Sequence, residues 1–421
     1  MRGRGRDQRR HPLPQCITHR PRLCSRHPAL LPPYTRVAQY TRFQDKLLLQ
    51  DVQQFGRGEH ALPDLTVSAG RPDAPLVILI QGIGGNAQHW SDPLSLNPTD
   101  TWLFDLNRPP APGTVGLGSS PTYQPGSVTA WCQLLANNQI SYVTWSQSQP
   151  ADLLQYAVQE AVAVLSGIEQ RLFAPYEQDV SANGGQAPPL ILLCHSRGGL
   201  VARAALKQLG SEGVPHLRKV ITVCTPHHGS YMPRLAGDYN TTLSNALDFS
   251  TLGQSLPSPI RHFLAGTIDP MVTDLANRVR LAMLHSFGTL AQGPGFDELD
   301  PDSAMIQGVA QEEQPLPGVQ YYSIGGALPT FINFYFCQMG RSFHVLSTAS
   351  TFLVEQLARI PGVATHYGGL AEIDQGDSAV APSSSQWPAA FGATHQTARV
   401  NHMQALVDPT LQQSVLAIVQ A

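Results

Sequence analysis

Short apolar runs, separated by polar or helical sequence, recur along most of this 421-residue chain. Five of them have the length of a buried strand and lie at residues 76–80, 140–145, 190–193, 220–223 and 319–324. Apolar residues at helical spacing predict helices over residues 151–172 and 198–209, each between two of these runs. Strands that alternate with helices favour βαβ units around a mostly parallel sheet, and hence an α/β fold.

Two segments interrupt the alternation. Residues 91–128 are rich in Pro, Gly, Ser and Thr and predict an irregular excursion. Residues 230–318 are helical or loop-like, and we expect them to form a cap or lid insertion. One helical face in this insertion is apolar, which fits either a mobile lid or a helix that packs on the core. That face carries Val272, Leu275, Val279, Met283 and Phe287.

Charge is unevenly distributed along the chain. Residues 1–42 contain ten of the 27 basic residues, all of them arginine, and one acidic residue, Asp7. This leaves 17 basic against 29 acidic residues, a net charge of −12, in residues 43–421. A body this acidic argues against nucleic acid as a partner. Residues 1–42 show no apolar periodicity, and we expect this basic leader to be disordered.

The sequence also bears on the cellular location. No unbroken apolar run approaches the roughly 20 residues of a transmembrane helix, and residues 1–42 lack the apolar stretch of roughly 7–15 residues that an export signal needs. The six cysteines form no C-x-x-C pair, which argues against a zinc or redox site and favours reduced thiols. We therefore expect a cytoplasmic protein with one domain over residues 43–421, of undetermined oligomeric state.

The strongest chemical signal is Leu-Ile-Leu-Leu-Cys-His-Ser-Arg-Gly-Gly at residues 190–199. An aliphatic strand passes through Ser196 into a helix of small residues, and a sharp turn of this kind presents a serine hydroxyl above a sheet. The turn needs small residues two positions before and after the serine. Gly198 meets this need, and Cys194 replaces the usual first glycine. Ser196 is therefore the candidate nucleophile.

A serine hydroxyl becomes a good nucleophile when a base takes its proton and an acid orients that base. In chains with this turn the partners follow in the order Ser, Asp or Glu, His. We assign Asp377 as the orienting acid and His402 as the general base. Asp374 and His395 are the nearest alternatives, and spacing alone does not separate them from the assigned pair.

Acyl transfer also needs two donors for the oxyanion that develops on the substrate. We assign one to the backbone N–H of Arg197, directly after the nucleophile. The other is the N–H of Ile83, in the loop Gln-Gly-Ile-Gly-Gly at residues 81–85 that follows the first strand. The Arg197 guanidinium either contacts anionic substrates or points outward, so that only the backbone of this residue matters.

With these residues the sequence resembles the α/β-hydrolases, and more narrowly the bacterial lipases and esterases of the Pseudomonas–Burkholderia type. Further matching pieces follow in the same order at residues 225–230, 318–323, 376–380 and 401–402, so the resemblance covers about residues 75–410. It implies an α/β-hydrolase fold and a triad of Ser196, His402 and Asp377. It also implies that His227 and His228 support the structure near the site without taking part in catalysis.

The chain departs from those relatives at three points. Gln81 stands where they have a histidine, Gln404 stands where they have a calcium-binding aspartate, and no cysteine pair suits their disulfide. These departures argue against calcium dependence and against true lipase behaviour. The triad reaction itself requires neither a metal ion nor an organic cofactor, and we expect none.

The leading functional hypothesis is a serine carboxylic-ester hydrolase, an esterase or lipase, that acts on a small-molecule or lipid ester. The same catalytic residues would serve an acyltransferase, a lactonase or a thioesterase, because the fold does not set the acyl acceptor. A hydrolase-fold binding protein without catalysis is the alternative from another class.

Overall fold

The computed structural model describes residues 66–68, 70–71, 74–93, 115–118, 129–174, 187–234, 293–311, 313–329, 332–338, 341–348 and 375–421. The strands are β1 Thr66–Ser68, β2 Leu76–Ile80, β3 Val115–Gly118, β4 Ser141–Thr144, β5 Leu190–His195, β6 Leu217–Val223, β7 Gln320–Gly326, β8 Ile332–Gln338, β9 Arg341–Thr348 and β10 Thr394–Ala398. The α-helices are α1 Gln88–Ser91, α2 Trp131–Asn137, α3 Leu154–Ile168, α4 Gly198–Gly213, α5 Pro294–Asp297, α6 Ala304–Ala310 and α7 Pro409–Gln420. A π-helical turn covers Glu169–Phe173, and two 3₁₀ turns cover Ala389–Phe391 and Gln404–Leu406.

Seven of the strands form the main sheet, in the order β1-β4-β2-β5-β6-β7-β10. Six of them run parallel, and only β1 pairs antiparallel, with β4, at the edge. The order places β5, the strand that leads into Ser196, at the centre. A central parallel sheet flanked by helices, with this strand order, is the α/β-hydrolase fold, which confirms the predicted fold class.

The main sheet is buried on both faces. Along β2, Leu76, Ile78 and Ile80 pack into the layer that contains α3 and α4, whereas Val77 and Leu79 pack into the layer that contains α2 and α7. Successive side chains of a strand point to opposite faces, so one continuous aliphatic run supplies both layers. This explains why the central strands read as unbroken apolar runs, as buried parallel strands do.

The element predictions agree with the structure along the sheet. The predicted strand over 76–80 matches β2, and the other four predicted strands coincide with β4, β5, β6 and β7 within a few residues. The predicted helix over 151–172 divides into α3 and the π-helical turn. The helix predicted over 198–209 extends to Gly213, with a kink at Gly210, where φ is +63°.

The prediction of an irregular excursion over 91–128 is wrong at one place. Residues 115–118 form β3, which pairs antiparallel with β8 in a second sheet of order β3-β8-β9. Local composition, rich in Pro, Gly, Ser and Thr, concealed this strand because its partner lies more than 200 residues further along the chain. The basic leader of residues 1–42 lies outside the described residues.

The C-terminal part of the predicted insertion packs on the core. Phe296, Leu299, Ile306 and Val309, on and after α5 and in α6, are buried in the same layer as α3 and α4. The apolar face predicted over residues 272–287 lies outside the described residues. None of the described helices is long and apolar enough to cross a membrane.

Gly198 holds α4 close to the sheet. A Cβ atom at this position would lie 2.3 Å from the carbonyl oxygen of Ile80 and 2.7 Å from that of Gln81. Both contacts are to backbone, which moves only if β2 or α4 shifts. The requirement for a small residue two positions after Ser196 therefore follows from direct contact between the start of the helix and the end of the neighbouring strand.

We expect Gly198→Ala to lower the free energy of unfolding by about 1–3 kcal/mol, because the added methyl group forces the helix away from β2. Gly308→Ala, in α6, is the matched control: a Cβ there meets nothing within 4 Å. Alanine is the better helix former, so this control should raise stability by about 0.5–1 kcal/mol. Urea unfolding of both variants measures the difference, and equal effects of the two substitutions would contradict the packing argument.

Candidate active site

Ser196 occupies a strained turn between β5 and α4. Its φ is +54°, in the left-handed region that residues other than glycine seldom adopt. The Ser196 N–H donates to the carbonyl of Val223 at 2.9 Å, which ties the turn to the adjacent strand β6. Two further non-glycine residues with positive φ, Cys224 and Ser378, also lie in this part of the molecule. Strain of this kind is typical of functional sites.

His402 lies between Ser196 and Asp377. Its Nε2 is 2.9 Å from the Ser196 hydroxyl oxygen, and its Nδ1 is 2.9 Å from Oδ2 of Asp377. His402 lies 206 positions after Ser196 in the chain and 25 positions after Asp377. An imidazole that donates from Nδ1 to the carboxylate presents Nε2 as an acceptor for the serine proton.

Asp377 is fully buried and held from several sides. Its Oδ1 accepts from the N–H groups of Ala379 at 2.9 Å and Val380 at 2.7 Å. The His402 N–H donates to the Asp377 backbone carbonyl at 2.8 Å, so main chain and side chain join the same two residues. Burial, together with the nearby charge of Asp377, raises the pKa of Cys224 well above its usual value, so a protonated thiol lies beside this carboxylate.

The alternatives from the sequence have different positions. His395 lies on β10, where its Nδ1 forms a hydrogen bond of 2.8 Å with the hydroxyl of Ser323. This bond joins two residues that are paired in the neighbouring strands β10 and β7, and it involves neither Ser196 nor His402. Asp374 lies outside the described residues. The structure thus brings together Ser196, Asp377 and His402 and separates His395 from them.

The glycine-rich loop that follows β2 contacts the nucleophile. A Cβ atom on Gly82 would lie 2.7 Å from Cβ and 3.1 Å from Oγ of Ser196. Ile83 comes next in the chain. Within the described part of the chain, neither the Ile83 N–H nor the Arg197 N–H donates to another protein group. Both assigned oxyanion donors are therefore available beside Ser196.

The Arg197 side chain corrects both sequence-based interpretations. It neither points outward nor lies exposed to a substrate, because the residue is fully buried. Its guanidinium donates to backbone carbonyls of Pro150 and Asp152 and to the side chain of Gln147. The physical reason is the tight turn after Ser196, which directs this side chain under the segment that follows β4.

Sequence reasoning missed His195. Its Nε2 forms a 2.9 Å hydrogen bond with the backbone carbonyl of His402, and the two imidazole rings are 4.9 Å apart. Burial, together with the nearby His402, lowers the pKa of His195 well below its usual value, so the ring is neutral. A histidine directly before the candidate nucleophile was the available signal. Its contact supports the loop that carries His402.

His227 has a supporting position, as the resemblance implies. Its Nε2 forms a hydrogen bond of 2.9 Å with Thr222, and its ring lies 4.3 Å from that of Trp387. Arg203 contacts both the ring Nδ1 and the carbonyl of His227. None of these contacts reaches Ser196 or His402, so His227 braces the loop after β6.

Two groups of residues invite comparison with metal sites. Cys224, Asp377 and His402 bring three potential ligand atoms within 4.8 Å of one another, but a hydrogen bond already joins the Asp377 carboxylate to the His402 imidazole. Gln404 stands at the position of a calcium ligand in the resembling lipases, and its Oε1 accepts from the Asn401 N–H at 3.0 Å. This amide oxygen is already bound within the loop and lacks the charge of the aspartate at the corresponding position in those lipases.

No protein-family model matches the chain, and no curated protein matches it in sequence. Among solved structures it is similar to the mature lipase BlEst2 of Bacillus licheniformis, with 16% identity and a TM-score of 0.43 over 85% of this chain and 98% of that chain. It is also similar to lipase 1 from Pelosinus fermentans, with 13% identity and a TM-score of 0.41 over 83% and 99%. A carboxyl esterase from Bacillus coagulans shows 11% identity and a TM-score of 0.33 over 84% and 91%. These structural neighbours are bacterial lipases and esterases at low sequence identity.

Acid should destabilise the protein through His227. Burial, reinforced by the charge of Arg203, lowers the pKa of His227 well below 6.5, so below that pH the unfolded chain binds a proton that the folded chain does not. The contribution of this group to the free energy of unfolding is fully present above about pH 6.5. Below that pH it falls by up to about 1.4 kcal/mol per pH unit. Urea midpoints at about pH 7.5 and about pH 5.5 test this. A His227→Gln variant should lose less stability over that interval; an equal loss would count against the assignment.

Proposed function

We propose that this protein is a serine carboxylic-ester hydrolase that works through an acyl-enzyme intermediate. The observation that carries the proposal is the continuous hydrogen-bonded line from Asp377 through His402 to Ser196, with both side-chain steps at 2.9 Å. A serine within reach of an imidazole, itself oriented by a buried carboxylate, is the arrangement that activates a hydroxyl for attack on an acyl carbonyl. The strained turn that carries Ser196 supports the same reaction.

In the first half of the proposed reaction, Oγ of Ser196 attacks the ester carbonyl carbon while Nε2 of His402 takes the hydroxyl proton. The carbonyl oxygen becomes an oxyanion and accepts hydrogen bonds from the N–H groups of Ile83 and Arg197. Asp377 stabilises the imidazolium that forms. The tetrahedral intermediate then breaks its bond to the alcohol oxygen, which leaves with the proton from His402, and an acyl-Ser196 ester remains.

In the second half, water takes the place of the alcohol. His402 removes a proton from the water as it attacks the acyl carbon, and the same two N–H groups hold the second oxyanion. Collapse of this intermediate releases the carboxylic acid and returns the proton to Ser196. Apart from the ester and the water, the proposed steps use side chains and backbone groups of this chain.

The substrate class we propose is a neutral or modestly apolar carboxylic ester, including lipid esters. The finer resemblance to lipases of the Pseudomonas–Burkholderia type belongs to the proposal as well. It rests on the order of the short matching pieces along the chain, with His227 in a bracing position as that resemblance implies.

Substitution of the triad should abolish hydrolysis without unfolding the protein. We expect Ser196→Ala, His402→Gln and Asp377→Asn each to lower kcat for p-nitrophenyl butyrate by about 10⁴- to 10⁶-fold. Absorbance at the wavelength of released nitrophenolate measures the rate, and circular dichroism checks the fold. The wild type should also react covalently at Ser196 with a fluorophosphonate, as detected by mass spectrometry.

His395→Gln is the matched control, because His395 is the alternative base and lies on β10. This variant should keep kcat within about threefold of the wild type, the range of a minor rearrangement. A loss equal to that of His402→Gln would identify His395 as the base.

Absence of fluorophosphonate labelling in the folded wild type would overturn the proposal in favour of a binding protein. An acyl transfer to an added alcohol that outruns hydrolysis would identify the acyltransferase alternative.

A further inference from the structure

We propose that the Arg197 side chain is a positioning residue that holds the glycine-rich loop Gln81–Gly85 in place for the oxyanion. The inference rests on the proposed ester hydrolysis. Arg197 would thus contribute twice: its backbone N–H is one of the two oxyanion donors, and its guanidinium sets the position of the loop that carries the other, Ile83. No previous step of the proposed mechanism uses this side chain.

The guanidinium is enclosed and bound to three acceptors. Nη1 donates to the backbone carbonyl of Asp152 at 2.6 Å, and Nη2 donates to the carbonyl of Pro150 at 2.9 Å and to Oε1 of Gln147 at 3.1 Å. Arg197 is 0% exposed. Burial of a charged guanidinium is costly unless its donors are satisfied. Such a group therefore fixes the backbone that supplies its acceptors.

Burial does not remove the charge of Arg197. It lowers the pKa to about 10, and nearby carboxylates, Glu298 first, oppose that shift. The group is therefore protonated at neutral pH, and it donates each of these hydrogen bonds to an oxygen atom. Charge-assisted bonds of this kind are about twice as strong as neutral ones. They give the segment from Gln147 to Asp152 a definite position relative to the nucleophile turn.

Two of these acceptors continue to the oxyanion loop. The carbonyl of Pro150 also accepts the Gly84 N–H at 2.8 Å, so one oxygen joins the guanidinium to the residue after Ile83. Gln147 donates from Nε2 to the carbonyl of Gln81 at 3.2 Å while its Oε1 accepts from Arg197. The loop is thus connected to Arg197 on both sides of Gly82 and Ile83. Gln147 makes the connection before them, and the Pro150 carbonyl makes it after them.

The start of the loop has a further anchor, and α5 covers the guanidinium. Gln81 donates from Nε2 to the carbonyl of Trp145 at 2.6 Å. A Cβ atom on Gly295 would lie 2.4 Å from Nη1 of Arg197 and 2.0 Å from the Asp152 carbonyl oxygen. This close approach leaves no room for water on that side. The bonds that join Gln147 to Arg197 and to Gln81, and Gln81 to Trp145, are buried, and a preorganised network of this kind is what an oxyanion site requires.

The geometry gives a distinct kinetic expectation. The oxyanion exists only in the tetrahedral intermediates and in the transition states that lead to them, so a displaced Ile83 N–H weakens these states and spares the bound ester. We expect Arg197→Met to lower kcat for p-nitrophenyl butyrate by about 10- to 100-fold, with KM within about threefold. The kcat of Arg197→Lys should lie between those of Arg197→Met and the wild type. Lysine restores the positive charge but has one nitrogen in place of the two, Nη1 and Nη2, that donate in Arg197.

A transition-state analogue separates positioning from general loss of structure. A trifluoromethyl ketone forms a tetrahedral adduct on serine that carries the oxyanion, so its inhibition constant should rise by about the same factor as kcat falls. Arg203→Met is the matched control. Arg203 is a buried arginine in α4, the helix that begins directly after Arg197, and it is bound to Glu313 and to the carbonyl of His227. This control should lose stability but keep kcat and the inhibition constant.

Gln147→Met covers the case in which Arg197→Met fails to fold. It leaves Arg197 intact and breaks one of the two connections to the loop, so a smaller fall in kcat with an unchanged KM is expected. If both folded variants keep the wild-type kcat and inhibition constant, or if the control Arg203→Met reproduces the losses, the positioning role is wrong. Either result leaves Ser196-dependent hydrolysis by the wild type intact. Lack of that activity in the wild type would instead refute the proposed function.

Discussion

The sharp turn from β5 into α4 is the constraint on which the rest of the site depends. It holds Ser196 at a φ of +54° and brings α4 so close to β2 that only a glycine fits at position 198. The same closeness places Gly82 against the serine Cβ. Strain at one residue persists because the buried central strands on both sides determine where the chain must pass. A looser turn would separate the serine from the glycine-rich loop and from His402.

The C-terminal loops complete the site by burying a carboxylate. Asp377 stays inside the protein because backbone N–H groups, the imidazole of His402 and a thiol surround it. A buried charge without such partners would destabilise the fold. His195 adds a bond from β5 to the carbonyl of His402. His402 is therefore held both by Asp377 and by the strand that leads into Ser196.

A buried cation organises the opposite side of the nucleophile. The bonds of Arg197 to residues 147–152 join three segments that are far apart in sequence: the loop after β2, the segment after β4 and the turn after β5. The carbonyls of this cluster would be costly to bury without donors. Arg197 supplies them, and the closeness of Gly295 shows that α5 is built around the guanidinium. Site geometry and local stability thus depend on the same side chain.

The sequence by itself determined the five central strands of the main sheet, the two helices between them, the fold class and the identity of the candidate nucleophile. Short apolar runs, apolar residues at helical spacing and a strand–serine–small-residue turn are local features, and local sequence carries them directly. Two strands of the main sheet, β1 and β10, escaped notice because β1 has three residues and β10 has mostly exposed side chains. Strand β3 escaped because its partner, β8, is distant in the chain.

The tertiary structure alone decided which carboxylate and imidazole accompany Ser196 and where the Arg197 guanidinium goes. His402 lies 206 positions after Ser196 and contacts it, whereas His395, seven positions before His402, forms its hydrogen bond with Ser323. Sequence spacing does not encode such choices, because they depend on how β10 pairs with β7 and how the loop after it returns. The direction of a buried side chain is set by the acceptors that the folded chain places around it, and those acceptors exist only once distant segments have packed together.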